Sequence, residues 1–297
     1  MNISNAVIPA AGAGTRLLPS TKAQPKEMLP VGRKPLVQYV VEELEAAAIE
    51  SILFITGRRK RAIEDHFDAD PELNALLRKA GTIDLRDELR FEDTSVRFFY
   101  TRQSEQLGLG HAIACARDFT AAEPFVVALG DSIITGGAGA PLLKRLMDAY
   151  DLADGGCAIA FHEVPKEEAR WYGVAAPAGP GDVFEVKDLV EKPAPGTEPS
   201  NLAVSARYIL PPAIYDAIAR TRPDSKGEIQ LTDAIRLLMK DGAKVIGVKL
   251  TNGERRCDIG NFMSYYRTFV DFALADPDLG PAFREYLRHK VSSEDAR

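Results

Sequence analysis

Short, nearly continuous apolar runs alternate along the chain with longer stretches in which apolar residues recur every three or four positions. The runs NAVIPA (5–10), SILFIT (51–56), SVRFFY (95–100) and PFVVALGD (124–131) read as strands of a sheet covered on both faces. Between them, PLVQYVVEELEAA (35–47) puts Leu36, Val40, Leu44 and Ala47 on one helical stripe, and GHAIACARDF (110–119) repeats the idea. This order predicts βαβ units and an α/β fold: a Rossmann-like, open, mainly parallel sheet flanked by helices. Beyond residue 150, GCAIAFHEV (156–164), YGVAAP (172–177), VFEVKDLVEKP (183–193) and NLAVSARYIL (201–210) read as strands separated by Gly/Pro turns such as PAGPGD. An antiparallel or mixed part grafted onto the same sheet is expected there, followed by helices at 211–221, 228–240 and 260–275. The segment ITGGAGAP (134–141) reads as a connection. No repeat with a period of about 20–50 residues appears. One domain over 1–297 is expected, with a first half to about 150, a second over about 151–260, and C-terminal helices over 261–297.

At 297 residues and 45% hydrophobic content the chain can bury a large core. Acidic residues outnumber basic ones 43 to 37, so no overall basic field exists for nucleic acid or an anionic membrane, and an anionic ligand has to be met locally. The basic GRRKR (57–61) opens a helix that also carries Glu64 and Asp65, which argues against nucleic-acid binding. Cys115, Cys157 and Cys257 are odd in number and far apart, unlike a disulfide framework or a zinc site. No run reaches the roughly 18 apolar residues of a membrane span, and no signal peptide is evident, so a cytoplasmic protein is expected.

Candidate chemistry begins at AGAGTR (11–16), which leaves the carboxyl end of the first strand, where open α/β sheets bind ligands. Gly12 and Gly14 are expected to take positive φ and to form an anion-binding nest, with Arg16 adding a fork of donors suited to phosphate oxygens. Residue 17 is Leu, which breaks the G-x-G-x-x-G fingerprint, and Thr15 and Arg16 stand where a Walker loop needs lysine and a hydroxyl. In PKEMLP, Lys26 lies between two prolines that discourage helix and stiffen its surroundings. The plain alternative is a Gly/Pro loop with solvated cations. Asp131 ends an apolar strand at the ligand edge of the sheet, a metal candidate because Mg²⁺ favours one or two carboxylates with phosphate oxygens. A turn aspartate is its alternative.

The run Gly12-x-Gly14-Thr15-Arg16 with Pro19, Thr21 and PKEMLP resembles the signature of the sugar-1-phosphate nucleotidylyltransferases, and TKAQPKEMLP resembles their bacterial uridylyltransferase branch. PLVQYVVEEL, GLGHAI, LGDSII, YGV, VEKP, SNLAV, GEIQLTDAI and CDIGN follow in the family's order, from about residue 5 to 275. The resemblance implies a Mg²⁺-dependent, in-line transfer in which a phosphate oxygen of glucose 1-phosphate attacks the α-phosphorus of UTP and pyrophosphate leaves, mostly by positioning and charge neutralisation. It implies catalytic roles for Arg16, Lys26 and Asp131, and nucleotide contacts from Ala10, Ala11, Gly12, Gly14, Thr15, Arg16, Gln103 and Gly108. It implies sugar-phosphate contacts from Gly173, Glu191, Lys192, Asn201 and Val204, and a metal held by Asp131 and Asp258.

Some points stay open within that resemblance. Asp258 is also a plausible turn residue, Gln103 alone would read as a surface residue, and Glu191–Lys192 alone as an exposed charged pair. Adjacent strand residues face opposite ways, so both aim inward only if Pro193 ends the strand. LGD before Ser132 is also the thymidylyltransferase form, which leaves uridine against thymidine open, as does galactose 1-phosphate against glucose 1-phosphate for the sugar. VGRKPL has Gly-Arg-Lys where an acidic residue is frequent. A non-catalytic nucleotide-sugar sensor is the reading from another class, disfavoured by the joint presence of Arg16, Lys26, Asp131, Glu191 and Lys192. The four histidines, His66, His111, His162 and His289, lack metal-like spacing, and Glu228 and Asp233 of GEIQLTDAI are assigned to helix and loop positions. The apolar FMSYYRTFVDFAL near the C-terminus predicts a homo-oligomer contact, in a dimer or tetramer.

Overall fold

The runs NAVIPA, SILFIT and PFVVALGD become strands buried on both sides, whereas SVRFFY, expected to be covered as well, forms an edge strand with Phe99 42% exposed. A computed structural model describes residues 3–80, 88–137, 141–251 and 253–294. Its strands are β1 (Asn5–Pro9), β2 (Pro30–Val31), β3 (Lys34–Pro35), β4 (Ser51–Thr56), β5 (Arg97–Arg102), β6 (Phe125–Ala128) and β7 (Ser132–Thr135). They continue as β8 (Cys157–Glu163), β9 (Gly173–Pro177), β10 (Val183–Glu191), β11 (Leu202–Leu210), β12 (Val245–Lys249) and β13 (Arg255–Asp258).

Nine of them form one sheet in the order β5-β4-β1-β6-β11-β8-β12-β10-β9. Neighbours from β5 to β6 are parallel, β11 is antiparallel to β6 and β8, β12 is parallel to β8, and β10 is antiparallel to β12 and β9. Only β10 and β11 of this sheet therefore run against the rest, a mixed sheet with a parallel half and an antiparallel addition. Strand alternation splits the core between its two faces. Ala6, Ile8, Ile52, Phe54, Val126 and Ala128 pack on one side, while Val7, Leu53, Ile55, Phe125 and Val127 pack on the other.

The helix Leu36–Ala46 buries Leu36, Val40 and Leu44 completely, adding Val37 to the stripe, whereas Ala47 is only partly buried at the helix end. Each such aliphatic side chain stabilises the fold by about 1.5–3 kcal/mol. Three expectations shift. The strand read at 95–100 lies at Arg97–Arg102, because Thr94 Oγ1 accepts from Val96 N at 3.1 Å and holds the chain in a turn there. The helix read at 110–119 is two pieces, Gly108–Ala114 and Arg117–Thr120, joined by tight bonds from Cys115 N to Ala112 O and from Ala116 N to Ile113 O. ITGGAGAP is not all connection, since Ile134 and Thr135 belong to β7, which pairs with β13 outside the main sheet; residues 138–140 lie outside the described residues.

Candidate active site

The parallel half delivers its loops to one edge. Ala10 N donates to Ile55 O at 2.8 Å, prolonging the β1–β4 pairing by one residue, and Ala10 and Ala11 are buried. Gly12, Thr15 and Arg16 are exposed beyond them. Gly14 has φ 68°, and its carbonyl accepts from Thr21 Oγ1 at 2.8 Å, folding the loop back on itself. Gly12 corrects the sequence expectation: it is not among the left-handed residues, and Lys26 Nζ lies in ordinary contact range of it, 3.9 Å from where a Cβ would sit. Gln106 Nε2 donates to Ala11 O at 2.9 Å, a tether that nothing in its sequence neighbourhood signalled.

Lys26 begins the tight turn Lys26–Met28, and its ammonium donates to Asp131 Oδ2. Burial disfavours the charged ammonium, but Asp131 and Glu27 outweigh it and push the Lys26 pKa up. Burial alone would raise Asp131, yet the Lys26 charge and hydrogen bond, helped by Arg256, hold its carboxyl down at about 2. Beneath Lys26, the carboxylate of Glu27 accepts from Lys60 Nζ at 2.7 Å with both side chains buried; desolvation pushes Glu27 up against the pull of Lys60 and Lys26.

The β7–β13 ribbon brings the second carboxylate in. Asp258 stands opposite Ser132, next to Asp131, and Ile259 N donates to the Asp131 carbonyl at 3.4 Å. Asp258 Oδ1 accepts from Gly260 N at 3.0 Å, and Arg256 Nη2 lies 3.3 Å from Asp258 Oδ2. Arg16 reaches the same turn, its Nη1 lying 3.7 Å from where a Cβ on Gly260 would sit. Arg256, two positions before Asp258 and so on the same strand face, also donates to Ser132 Oγ at 3.3 Å and lies over the Tyr172 ring at 5.1 Å. Sequence reasoning missed Arg256; its i,i+2 spacing from Asp258 was the only signal. Among the described residues no cluster of three or more His, Cys, Asp or Glu forms a metal site. Asp131 and Asp258 offer two hard carboxylates, a set that suits a divalent ion completing its shell with phosphate oxygens and water.

Gln103 is buried, not at the surface. Its Nε2 donates to Gly108 O at 3.1 Å and to His111 Nδ1 at 2.9 Å. Gly108 has φ 92°, and a Cβ there would come within 2.7 Å of Ile229 O, so only glycine lets these two segments approach.

The antiparallel part supplies another group. Glu191, last residue of β10, pairs with Gly173, first of β9. Lys192 then takes a left-handed φ of 44°, with its N donating to Tyr172 O at 2.9 Å and its Nζ 2.9 Å from Glu191 Oε1. This turn answers the difficulty of two adjacent residues aiming one way, because the strand ends between them. Thr232 Oγ1 donates to Glu191 Oε2 at 2.7 Å, and Val204 lies beside Gly173, its Cγ2 3.3 Å from the position of an added Cβ. Asn201 stands apart from this contact set; its carbonyl accepts from Val164 N at 3.0 Å. Thr232 lies inside GEIQLTDAI and Tyr172 inside YGV, and neither is singled out there by its side-chain chemistry.

Comparison with known proteins places the whole chain in a family. A family model described as nucleotidyl transferase matches residues 5–273. A UTP–glucose-1-phosphate uridylyltransferase of Staphylococcus epidermidis is 44% identical over 287 residues, covering 96% of this chain and 98% of that protein. A UTP–glucose-1-phosphate uridylyltransferase of Staphylococcus saprophyticus is 44% identical over 290 residues, covering 97% and 99%. The UTP-bound UGPase from Acinetobacter baumannii superimposes with a TM-score of 0.88 at 34% identity, covering 96% of this chain and 99% of that one. A UDP-glucose pyrophosphorylase complexed with UDP-glucose gives a TM-score of 0.82 at 37% identity, covering 91% and 98%.

Proposed function

The chain belongs to the nucleotidyl transferase family, and we infer that it makes UDP-glucose and pyrophosphate from UTP and α-D-glucose 1-phosphate. It is a UTP:glucose-1-phosphate uridylyltransferase in activity. The observation that carries this beyond family membership is the convergence of Lys26, Asp131, Asp258 and Arg16 beside a glycine loop at the carboxyl edge of the sheet.

We propose the following division of labour. A phosphate oxygen of glucose 1-phosphate forms a bond to the α-phosphorus of UTP as the bond to the β-phosphate oxygen breaks, and pyrophosphate departs in line. Arg16 pairs with the β- and γ-phosphates, and Lys26 meets the α-phosphate where charge builds in the transition state. Ala10, Ala11, Gly12, Gly14 and Thr15 line the nucleotide, with Gln103 and Gly108 at the base. Glu191 accepts from glucose hydroxyls, Lys192 pairs with the sugar phosphate, and Gly173, Val204 and Asn201 shape that side. The family generally uses a divalent metal ion; we propose Mg²⁺, held by Asp131 and Asp258, which when bound would neutralise phosphate charge.

Two wider proposals rest on surface and cysteine chemistry. Met263 and Tyr266 on the helix Phe262–Ala275, Leu279 in the turn after it, and Tyr286 and Val291 on the helix Gly280–Glu294 are exposed, which supports a homo-oligomer, dimer or tetramer, formed through them. Among the described residues no helix is long and apolar enough to cross a membrane. Cys115, Cys157 and Cys257 are free, which supports a cytoplasmic location. The 1–150, 151–260 and 261–297 division is proposed as one domain in three functional parts, since one sheet runs through the first two.

The deciding experiment is pyrophosphate release with Mg²⁺, crossing UTP, dTTP, GTP, ATP and CTP against glucose, galactose and mannose 1-phosphates, with Asp131→Ala as control. Turnover led by UTP with glucose 1-phosphate, and lost in the control, is expected. A lead by dTTP would overturn the choice of base.

A further inference from the structure

The stretch GEIQLTDAI (227–235) takes no part in the chemistry above, yet it touches both halves of the site. Ile229 N donates to Leu107 O at 2.7 Å and Ile229 O accepts from Gly110 N at 2.8 Å, which fixes the loop carrying Gly108. Three residues on, Thr232 sits in the first turn of the helix Leu231–Lys240, is 6% exposed, and donates to Glu191 Oε2 at 2.7 Å. The other oxygen of Glu191 takes Lys192 Nζ at 2.9 Å. These two partners differ in kind. The Lys192 side chain is half exposed and flexible, whereas the Thr232 hydroxyl is short, β-branched and carried on a packed helix.

We propose that Thr232 is a positioning residue for sugar recognition, anchoring one oxygen of Glu191 so that its other oxygen stays aimed at the sugar hydroxyls when Lys192 turns to the phosphate. The inference rests on Glu191 and Lys192 serving the sugar phosphate as proposed above. Without the anchor, the carboxylate rotates about its last torsion and presents neither oxygen in a fixed direction. Gly173 belongs to the same unit, since a Cβ there would lie 3.0 Å from Thr232 Oγ1 and 3.2 Å from Glu191 Oε2. A side chain at 173 would crowd both partners of this hydrogen bond, and glycine leaves them undisturbed. The anchored carboxylate also supplies selectivity, because a hydroxyl of the wrong epimer finds no second orientation of Glu191 to bond.

The test compares Thr232→Val, which keeps the shape and loses the donor, with Thr232→Ser, which keeps the donor, and with Glu191→Gln as a check on the underlying assignment. Thr232→Val is expected to raise KM for glucose 1-phosphate about tenfold to a hundredfold, as loss of a hydrogen bond to a charged group does. KM for UTP should hold within about twofold, the preference for glucose over galactose 1-phosphate should fall, and Thr232→Ser should stay near wild type. Binding provides a second readout through fluorescence of Trp171, the single tryptophan, which adjoins Tyr172. Thr232→Val should weaken UDP-glucose by the same factor and leave UDP unchanged. If Thr232→Val does not fold, Thr232→Ala, which cannot overpack, takes its place in both measurements. Equal rises in both KM values, or a normal KM in Thr232→Val beside a raised one in Glu191→Gln, would overturn the role of Thr232. A normal sugar-phosphate KM in Glu191→Gln would instead remove the assignment of Glu191, and the anchoring role with it.

Discussion

Lys26 and Asp131, 105 residues apart in the chain, form an ion pair just beyond the carboxyl ends of β1 and β6. Each holds the other charged in a partly buried place, so the cation proposed for the α-phosphate is already in its working protonation state before any substrate arrives.

Lys26→Met is therefore expected to lower kcat by about a hundredfold to a thousandfold, as removal of a transition-state donor does, with KM for UTP changed only a few-fold. Steady-state pyrophosphate release distinguishes this from a binding defect, in which KM would carry the loss.

A second pair is deeper. Arg207 is fully buried, and its Nη2 donates to Glu43 Oε2 at 2.6 Å and to Ser132 O at 3.0 Å. Glu43→Ala leaves that guanidinium without its counter-charge and is expected to cost about 3–5 kcal/mol of stability, whereas Arg207→Met with Glu43→Leu should recover most of it. Urea denaturation of the single and double variants measures both.

Gly108→Ala combines a left-handed backbone with a Cβ 2.7 Å from Ile229 O. A loss of about 2–4 kcal/mol is expected, since neither backbone has a flexible end that can yield. A melting temperature within a degree of wild type would contradict the packing.

His162 gives a pH prediction. Burial, with the Arg256 charge added, pushes its pKa down to about 4 from an ordinary 6.5, against opposing effects of its bond to Ala203 O and of Asp258; Ser205 Oγ and the Tyr172 ring complete its surroundings. Between those two values the unfolded chain binds a proton that the folded one does not, so stability is full above 6.5 and falls as pH drops towards 4. His162→Gln, which keeps a donor for Ala203 O, should lose about 1–2 kcal/mol less than wild type between pH 7.5 and pH 4.5 in chemical denaturation.

How much of this was legible in the sequence depended on whether a segment declares itself locally. SILFIT is β4 to the residue, because six buried positions leave only one reading. The strand VIGVK went unread, its run broken by Gly247, yet the glycine is there because the Phe184 ring lies against its backbone. β7 and β13 were illegible for a different reason: RRCD has no strand pattern, and it is extended only because it pairs with residues more than a hundred positions earlier. The site followed the same division. Lys26, Asp131 and Glu191 sit in distinctive local strings, whereas Arg256 and Thr232 matter through what lies across from them.

The β7–β13 ribbon also has a temporal side. Asp131 can take its place in the parallel half early in synthesis, but Asp258 and Arg256 join it only after the chain has been made past residue 258. A nascent or truncated chain ending before β13 could assemble much of the sheet and the glycine loop while lacking its second carboxylate. The site as proposed, with Asp258 in it, is therefore assembled only once the last strand has paired with Ser132–Thr135.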